Sequence, residues 1–317
     1  MQLLFEKWYI KFYYNKLANF SIKDVETFTG IKSHTLRVWE QRYGIIKPKR
    51  SETNIRYYDD DDLKLLLSIS VLNEHNFKIS EIAEMTSSEI NEAVLKLTSN
   101  EGEFNNQVKS LISAMMSFDE LDFHLKLNEY FAEYGLEEAY IQIILPLLIE
   151  IGILWQVGSI QPSHEHFVTN IIKQKLFSYI EGQIGNKVEC NKKFLLFLPE
   201  TETHSLSLLF ANYIIRSRGH EVIFLGQDVP LEDLKNAFKN EEPDYIYTTS
   251  TVSHLKISVE KLLQFLSENW PNSKILVSGY QFNISNSVIP SNVKLLKTAN
   301  EFISFINGIS VEYVRNS

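Results

Sequence analysis

The chain has 317 residues, 44% of them hydrophobic and 22% charged, which is enough for two or three domains with proper cores and excludes a disordered chain. Its net charge of -9 is divided, because residues 1–58 hold 11 Lys and Arg against 5 Asp and Glu while the remainder holds 20 against 35. A basic head on an acidic body fits contact with a polyanion through the head alone. The single cysteine, Cys190, excludes an internal disulfide and a multi-thiolate metal site.

Residues 1–20 show no clear period and read as an N-terminal extension without the apolar core and cleavage site of a signal peptide. From Ser21 the pattern sharpens. Ser21 to Asp24 reads as a cap and first turn, with Ile22, Val25 and Phe28 on one face. Gly30 ends this helix, Ser33 is placed to cap a second one over His34 to Tyr43, and Gly44 ends that in turn. Leu36, Trp39 and Tyr43 share an inward face of the second helix, whereas His34, Arg37 and Gln41 share another.

Ile45 to Tyr58 then reads as a hairpin turning over Ser51 to Asn54, with Lys47, Lys49, Arg50 and Arg56 available to phosphates. Two helices and a hairpin make a winged helix-turn-helix. In it Arg37 is the first choice for bidentate contact with guanine. Asp59 to Asp62 open a further helix to about Asn73, and Ser80 is placed to cap a short one, so the head occupies residues 21–98.

Residues 102–186 carry helical periodicity throughout and read as a four-helix bundle. Its longest apolar run, Ile141 to Trp155, contains Gln142, Pro146 and Glu150, and predicts a buried helix and no membrane span. Lys187 to Asn191 reads as a linker. In residues 192–310 five buried strands are expected at Phe194–Leu198, Val222–Gly226, Tyr245–Thr249, Ile275–Gly279 and Val293–Lys297, with helices between the first four. The fold class is therefore multidomain α and α/β, the last part a doubly wound, parallel, five-stranded Rossmann-like (flavodoxin-like) sheet. Ligands of such sheets sit at the carboxyl ends of the strands. Pro199 to Ser205 lies at that edge, where a neutral His204 could coordinate a metal and Glu202 could fix its tautomer.

Ser21 to Leu66, including HTLRVWEQRYG, resembles the DNA-binding domain of the MerR family, and in particular its CarH/LitR branch. The resemblance implies a dimeric reader of a pseudo-palindromic operator in double-stranded DNA. His34, Thr35, Arg37, Gln41 and Arg42 on the second helix, and Lys49, Arg50, Asn54 and Arg56 in the wing, are then the DNA-binding set.

Glu202-x-His204-x-x-Ser207 resembles the motif of cobalamin-binding domains whose histidine, here His204, takes the cobalt. Leu225 to Pro230, with Gln227 and Asp228, resembles the loop after their second strand. Ser250 and Val252, and Ser278, Gly279 and Tyr280, fall at their nucleotide-tail loops. Ser207 and Ser278 stand where those domains have glycine. Trp155 followed after nine residues by Glu165-His166 resembles the signature of the bundle that caps the corrin, implying adenosylcobalamin as the cofactor. Gln156 stands where light-sensing relatives have a cobalt-ligating histidine, and an amide is a poor substitute.

These features predict a cytoplasmic, non-enzymatic repressor, forming a dimer or tetramer, whose operator binding and oligomerisation are controlled by adenosylcobalamin, with light as a further candidate signal. A regulator of the same type acting through protein contacts without corrinoid is the alternative. A corrinoid methyl carrier or mutase subunit is the enzymatic reading, and the DNA-reading head argues against it.

Overall fold

The computed structural model describes residues 20–51, 54–98, 103–185, 192–239, 242–251, 256–284 and 288–314, which group into two compact units divided after Phe167. The expected extension before Phe20, the linker at 187–191 with Cys190, and Val252 lie outside the described residues.

In the first unit, α1 (Ile22–Thr29) starts where Ser21 and Asp24 close a capping box and stops at Gly30 in the left-handed region. Helix α2 (Ser33–Tyr43) begins differently from the expectation. Ser33 lies inside the helix, and Glu26 of α1 accepts its N–H at 3.0 Å and its hydroxyl at 2.5 Å. A carboxylate from another helix thus serves a helix start that its own cap residue, Lys32, leaves without a side-chain bond. The Ser33 hydroxyl, its N–H and Lys32 bring the Glu26 carboxyl down to about 2.

Strands β1 (Lys49–Arg50) and β2 (Arg56–Tyr57) pair antiparallel as the wing, and Asn54, left-handed at φ 62°, closes its tip by donating to Ser51 O at 2.8 Å. Asp59 and Asp62 form the capping box of α3 (Asp60–Glu74). The short α4 (Ile79–Ile82) contains Ser80 instead of being capped by it, because Glu81 reaches back to the Lys78 N–H at 3.1 Å. Helix α5 (Ser87–Thr98) completes the head.

Four helical stretches come next: α6 (Asn105–Met116), α7 (Glu120–Ala139), α8 (Leu145–Gln156) and α9 (Pro162–Glu181). Helix α7 is broken at Gly135, and a π turn over Tyr140–Ile144 joins it to α8, with the Leu145 N–H donating to Tyr140 O. The stretch Glu120–Gln156 is long and apolar enough to pass for a membrane span by composition. Tyr140, Ile143, Ile144, Leu147, Leu148 and Ile151 along it are buried in the protein, as a core helix requires.

The second unit holds a parallel sheet of β3 (Lys193–Pro199), β4 (Glu221–Val229), β5 (Tyr245–Thr249), β6 (Lys274–Ser278) and β7 (Val293–Leu295) in the order β4-β3-β5-β6-β7. This is the flavodoxin-like order, with its switch point between β3 and β5. Helices α10 (Leu206–Ser217), α11 (Leu231–Ala237), α12 (Val259–Asn269), α13 (Tyr280–Ile284) and α14 (Ala299–Val314) connect and follow the strands. Helix α13 lies between the fourth and fifth strands, where none was expected.

One face of the sheet, with Leu195, Phe197, Ile246, Ile275 and Val277, packs on Leu262, Leu263 and Leu266 of α12. Each such fully buried side chain contributes about 1.5–3 kcal/mol. On the other face Phe194 stacks on Tyr245 at 4.6 Å, and Tyr247 lies 4.9 Å from Phe302 of α14.

Strand β4 corrects another expectation, since Gln227 and Asp228 lie within it and not in a loop. Gly226 and Asp228 adopt turn-like φ values of 82° and 58° and shift the register, but the strand stays attached. Asp228 N–H donates to Glu202 O at 3.2 Å, and its carboxylate accepts the Thr201 N–H at 2.8 Å.

Candidate functional site

Helix α2 buries Leu36 and Trp39, which leaves His34, Arg37, Gln41 and Arg42 exposed along the opposite side and Thr35 half-buried between. The Arg42 guanidinium lies 5.3 Å from the Tyr43 ring centre. The wing cations are not equivalent. Lys49 is ion-paired with Asp59. Arg50 donates to Asn54 Oδ1 at 2.8 Å and Asn54 O at 3.4 Å, so it stiffens the wing tip. Arg56 is half-buried and donates from Nε and Nη2 to the two oxygens of Glu40 at 3.1 and 3.4 Å. It thereby fixes the wing to the helix that carries Arg37, a part that sequence spacing does not show because Glu40 lies 16 residues away.

At the carboxyl edge of the sheet, the loop after β3 carries Glu202 and His204. Glu202 is 1% exposed and gathers donors from two loops. It accepts His204 N at 3.0 Å, His204 Nδ1 at 2.6 Å, Thr251 N at 2.6 Å, Thr251 Oγ1 at 3.2 Å and Ser250 Oγ at 3.4 Å. Burial alone would raise its pKa, yet the hydrogen bond and charge of His204, with the Thr251 and His204 N–H groups, hold it below the usual value. Glu202 is therefore ionised, and Nδ1 of His204 is the donor to it. Thr251 was not singled out by the sequence, although the loop in which it stands was.

The other residues of this edge fall around the pair. Ser207 is the second residue of α10. Ser278 Oγ bonds the Tyr247 hydroxyl at 2.7 Å, so the Ser278 side chain is taken up inside the fold. Complete burial pushes the Tyr247 phenol up to about 12. Gly279 is left-handed at φ 99°, and a Cβ there would come within 2.3 Å of Ser250 O. The β5 and β6 loops approach one another that closely only with glycine between them. Tyr280 is buried at the start of α13, and Gln227 and Asp228 are exposed on β4.

In the first unit Trp155 is buried under Lys64 of α3, whose Nζ lies 4.9 Å from the ring centre. Gln156 donates from Nε2 to Ser68 Oγ at 3.2 Å, with both groups buried. Glu165 is buried and pairs with Nδ1 of the exposed His166 at 2.9 Å.

Residues 20–89 match the family described as MerR HTH family regulatory protein, and residues 107–178 match the B12 binding domain. The chain is 27% identical to the HTH-type transcriptional repressor CarH of Myxococcus xanthus, over 76% of this chain and 82% of that protein. It is 26% identical to the HTH-type transcriptional repressor CarA of the same organism, over 71% of this chain and 74% of that protein. In fold it is similar to the monomethylamine corrinoid protein of Methanosarcina barkeri, with a TM-score of 0.52 and 13% identity, over 68% of this chain and 99% of that one.

Proposed function

We propose that this chain, a MerR-type regulator joined to a B12-binding domain, is a transcriptional repressor whose operator binding is controlled by adenosylcobalamin. The observation that carries the reading is the buried Glu202–His204 pair at the carboxyl edge of the sheet, in a chain that also bears a DNA-reading head. An imidazole nitrogen would serve as a donor to the cobalt of a cobalamin, and His204 beside Glu202 offers one. With Nδ1 of His204 bonded to the Glu202 carboxylate, Nε2 is the nitrogen that would serve as the ligand. When bound, the cofactor supplies a cobalt ion with an exchangeable upper ligand. On the resemblance of their motifs, Ser207, Ser250, Val252, Ser278, Gly279 and Tyr280 would hold its tail, and Trp155, Glu165 and His166 are the residues that carry the corrin-capping signature.

In the head, Arg37 reads base edges, with His34, Thr35, Gln41 and Arg42 beside it, and Lys49, Arg50 and Asn54 meet the phosphates. Arg56 acts mainly by positioning the wing through Glu40. A homo-oligomer presenting two or more heads to a pseudo-palindromic operator in the cytoplasm would convert corrinoid binding into avidity. Gln156 is bonded to Ser68 and offers an amide in place of an imidazole, which supports control by corrinoid occupancy and not by light.

The test is retention. Full-length protein passed through gel filtration with adenosylcobalamin should keep a corrinoid absorbance spectrum, and His204→Ala should lose most of it while its operator contacts remain. A colourless wild-type protein would overturn this reading in favour of a regulator that works through protein contacts alone.

A further inference from the structure

The last turn of α8 is held by the DNA-reading head. Its last two residues and the Val157 that follows them have partners on two head helices. The Lys64 ammonium of α3 covers the Trp155 ring at 4.9 Å. Gln156 Nε2 donates to Ser68 Oγ at 3.2 Å in a buried position. Asn91 of α5 donates from Nδ2 to Val157 O at 3.1 Å, satisfying a carbonyl at the helix end.

Lys64 and Ser68 are four residues apart and share one face of α3, while Leu63, Leu66 and Leu67 beside them supply the apolar core. Apolar packing tolerates small slips. A cation over an indole and a buried amide–hydroxyl bond are directional, so this seam is either made or broken. A ring face covered by an ammonium is also closed to any other occupant.

We propose that Lys64, Ser68 and Asn91 form a latch on Trp155, Gln156 and Val157 that holds the DNA-reading head against the helical bundle in the corrinoid-free protein. A ligand that takes the Trp155 ring competes with Lys64 for it and frees the head to reach its operator. The ligand's identity, adenosylcobalamin, and its contact with Trp155 rest on the function proposed above.

Hydrogen exchange on the full chain tests the latch, read on peptides covering residues 154–158. In corrinoid-free protein, Lys64→Met with Ser68→Ala should raise exchange there about tenfold, the scale of one buried hydrogen bond. Lys64→Arg, which keeps a cation over the ring, should restore most of the protection. The double variant should also bind operator DNA about tenfold more tightly than corrinoid-free wild type, because its head is already released. Asn91→Ala is the milder second variant, with about a threefold effect expected if the double variant folds poorly.

Unchanged exchange in both variants would overturn the latch. Raised exchange with unaltered operator affinity would make the seam packing alone, and would equally overturn it. Loss of the function proposed above has a different signature, since wild type would then fail to retain adenosylcobalamin while the corrinoid-free comparisons still decide the latch.

Discussion

On α2 the residues assigned to DNA stand in solvent, on a helix anchored by Leu36 and Trp39 on its other side. At the sheet edge the centre of the assigned set is buried Glu202, the common acceptor for His204, Ser250 and Thr251, so these residues hold one another. The difference teaches where function and stability can be separated. A side chain displayed on a finished scaffold can be removed at the cost of its contacts alone. A side chain that is itself part of the scaffold takes the fold with it.

The most severe test of this contrast is Glu202→Ala. Several buried donors lose a charged acceptor, each worth about 1.5–3 kcal/mol, so the urea-unfolding free energy should fall by at least about 3 kcal/mol together with corrinoid retention. A fall below about 1 kcal/mol would erase the contrast.

Arg37→Ala should remove about 1–3 kcal/mol of discrimination between operator and random DNA in a binding titration. Its unfolding free energy should stay within about 0.5 kcal/mol of wild type. Arg56 lies between the two regimes. A double-mutant cycle of Arg56→Ala and Glu40→Ala should give a coupling of about 0.5–1 kcal/mol in stability. Lys47→Ala, which alters an exposed side chain, should instead lower the salt slope of DNA binding by about 0.9 without a stability change.

The smallest effect concerns pH. Burial holds the His220 ring below its usual pKa, with Asp244 pulling the other way. Because the folded state disfavours the proton, its contribution to stability is full above about pH 6.5 and is lost as pH falls from there through the folded value. The lowered Glu202 carboxyl acts at more acid pH, its contribution being lost only as pH falls through its folded pKa. Urea midpoints measured between pH 7 and pH 5 should therefore decline less in His220→Leu than in wild type, and parallel declines would remove His220 from the account.

Much of this architecture is legible in the sequence because its signals are local. Phe194–Leu198 and Ile275–Val277 read as apolar runs since parallel strands are buried on both faces. The Glu202–His204 spacing is legible because both stand on one strand-end loop. The features hidden from the sequence are long-range. Thr251 reaches Glu202 across 49 positions, Ser68 meets Gln156 across 88, and Glu26 replaces the cap expected at Ser33 across seven. The segment from Gly226 to Asp228 misleads for the opposite reason. Its turn chemistry is real, as two positive φ values attest, but tertiary bonds to residues 201 and 202 keep it in the sheet.

The π turn at Tyr140–Ile144 bears on how the chain tolerates changes of length. Its hydrogen bond spans five residues, so it stores one residue more than a regular turn. Deleting one residue there would convert the turn to ordinary helix and leave α8 in phase. Deleting one between Pro146 and Leu154 would rotate Trp155 and Gln156 by about 100°, away from Lys64 and Ser68. Exchange at residues 154–158 would separate the two deletions. The helix thus carries its own slack, placed upstream of the residues whose bearing must not drift.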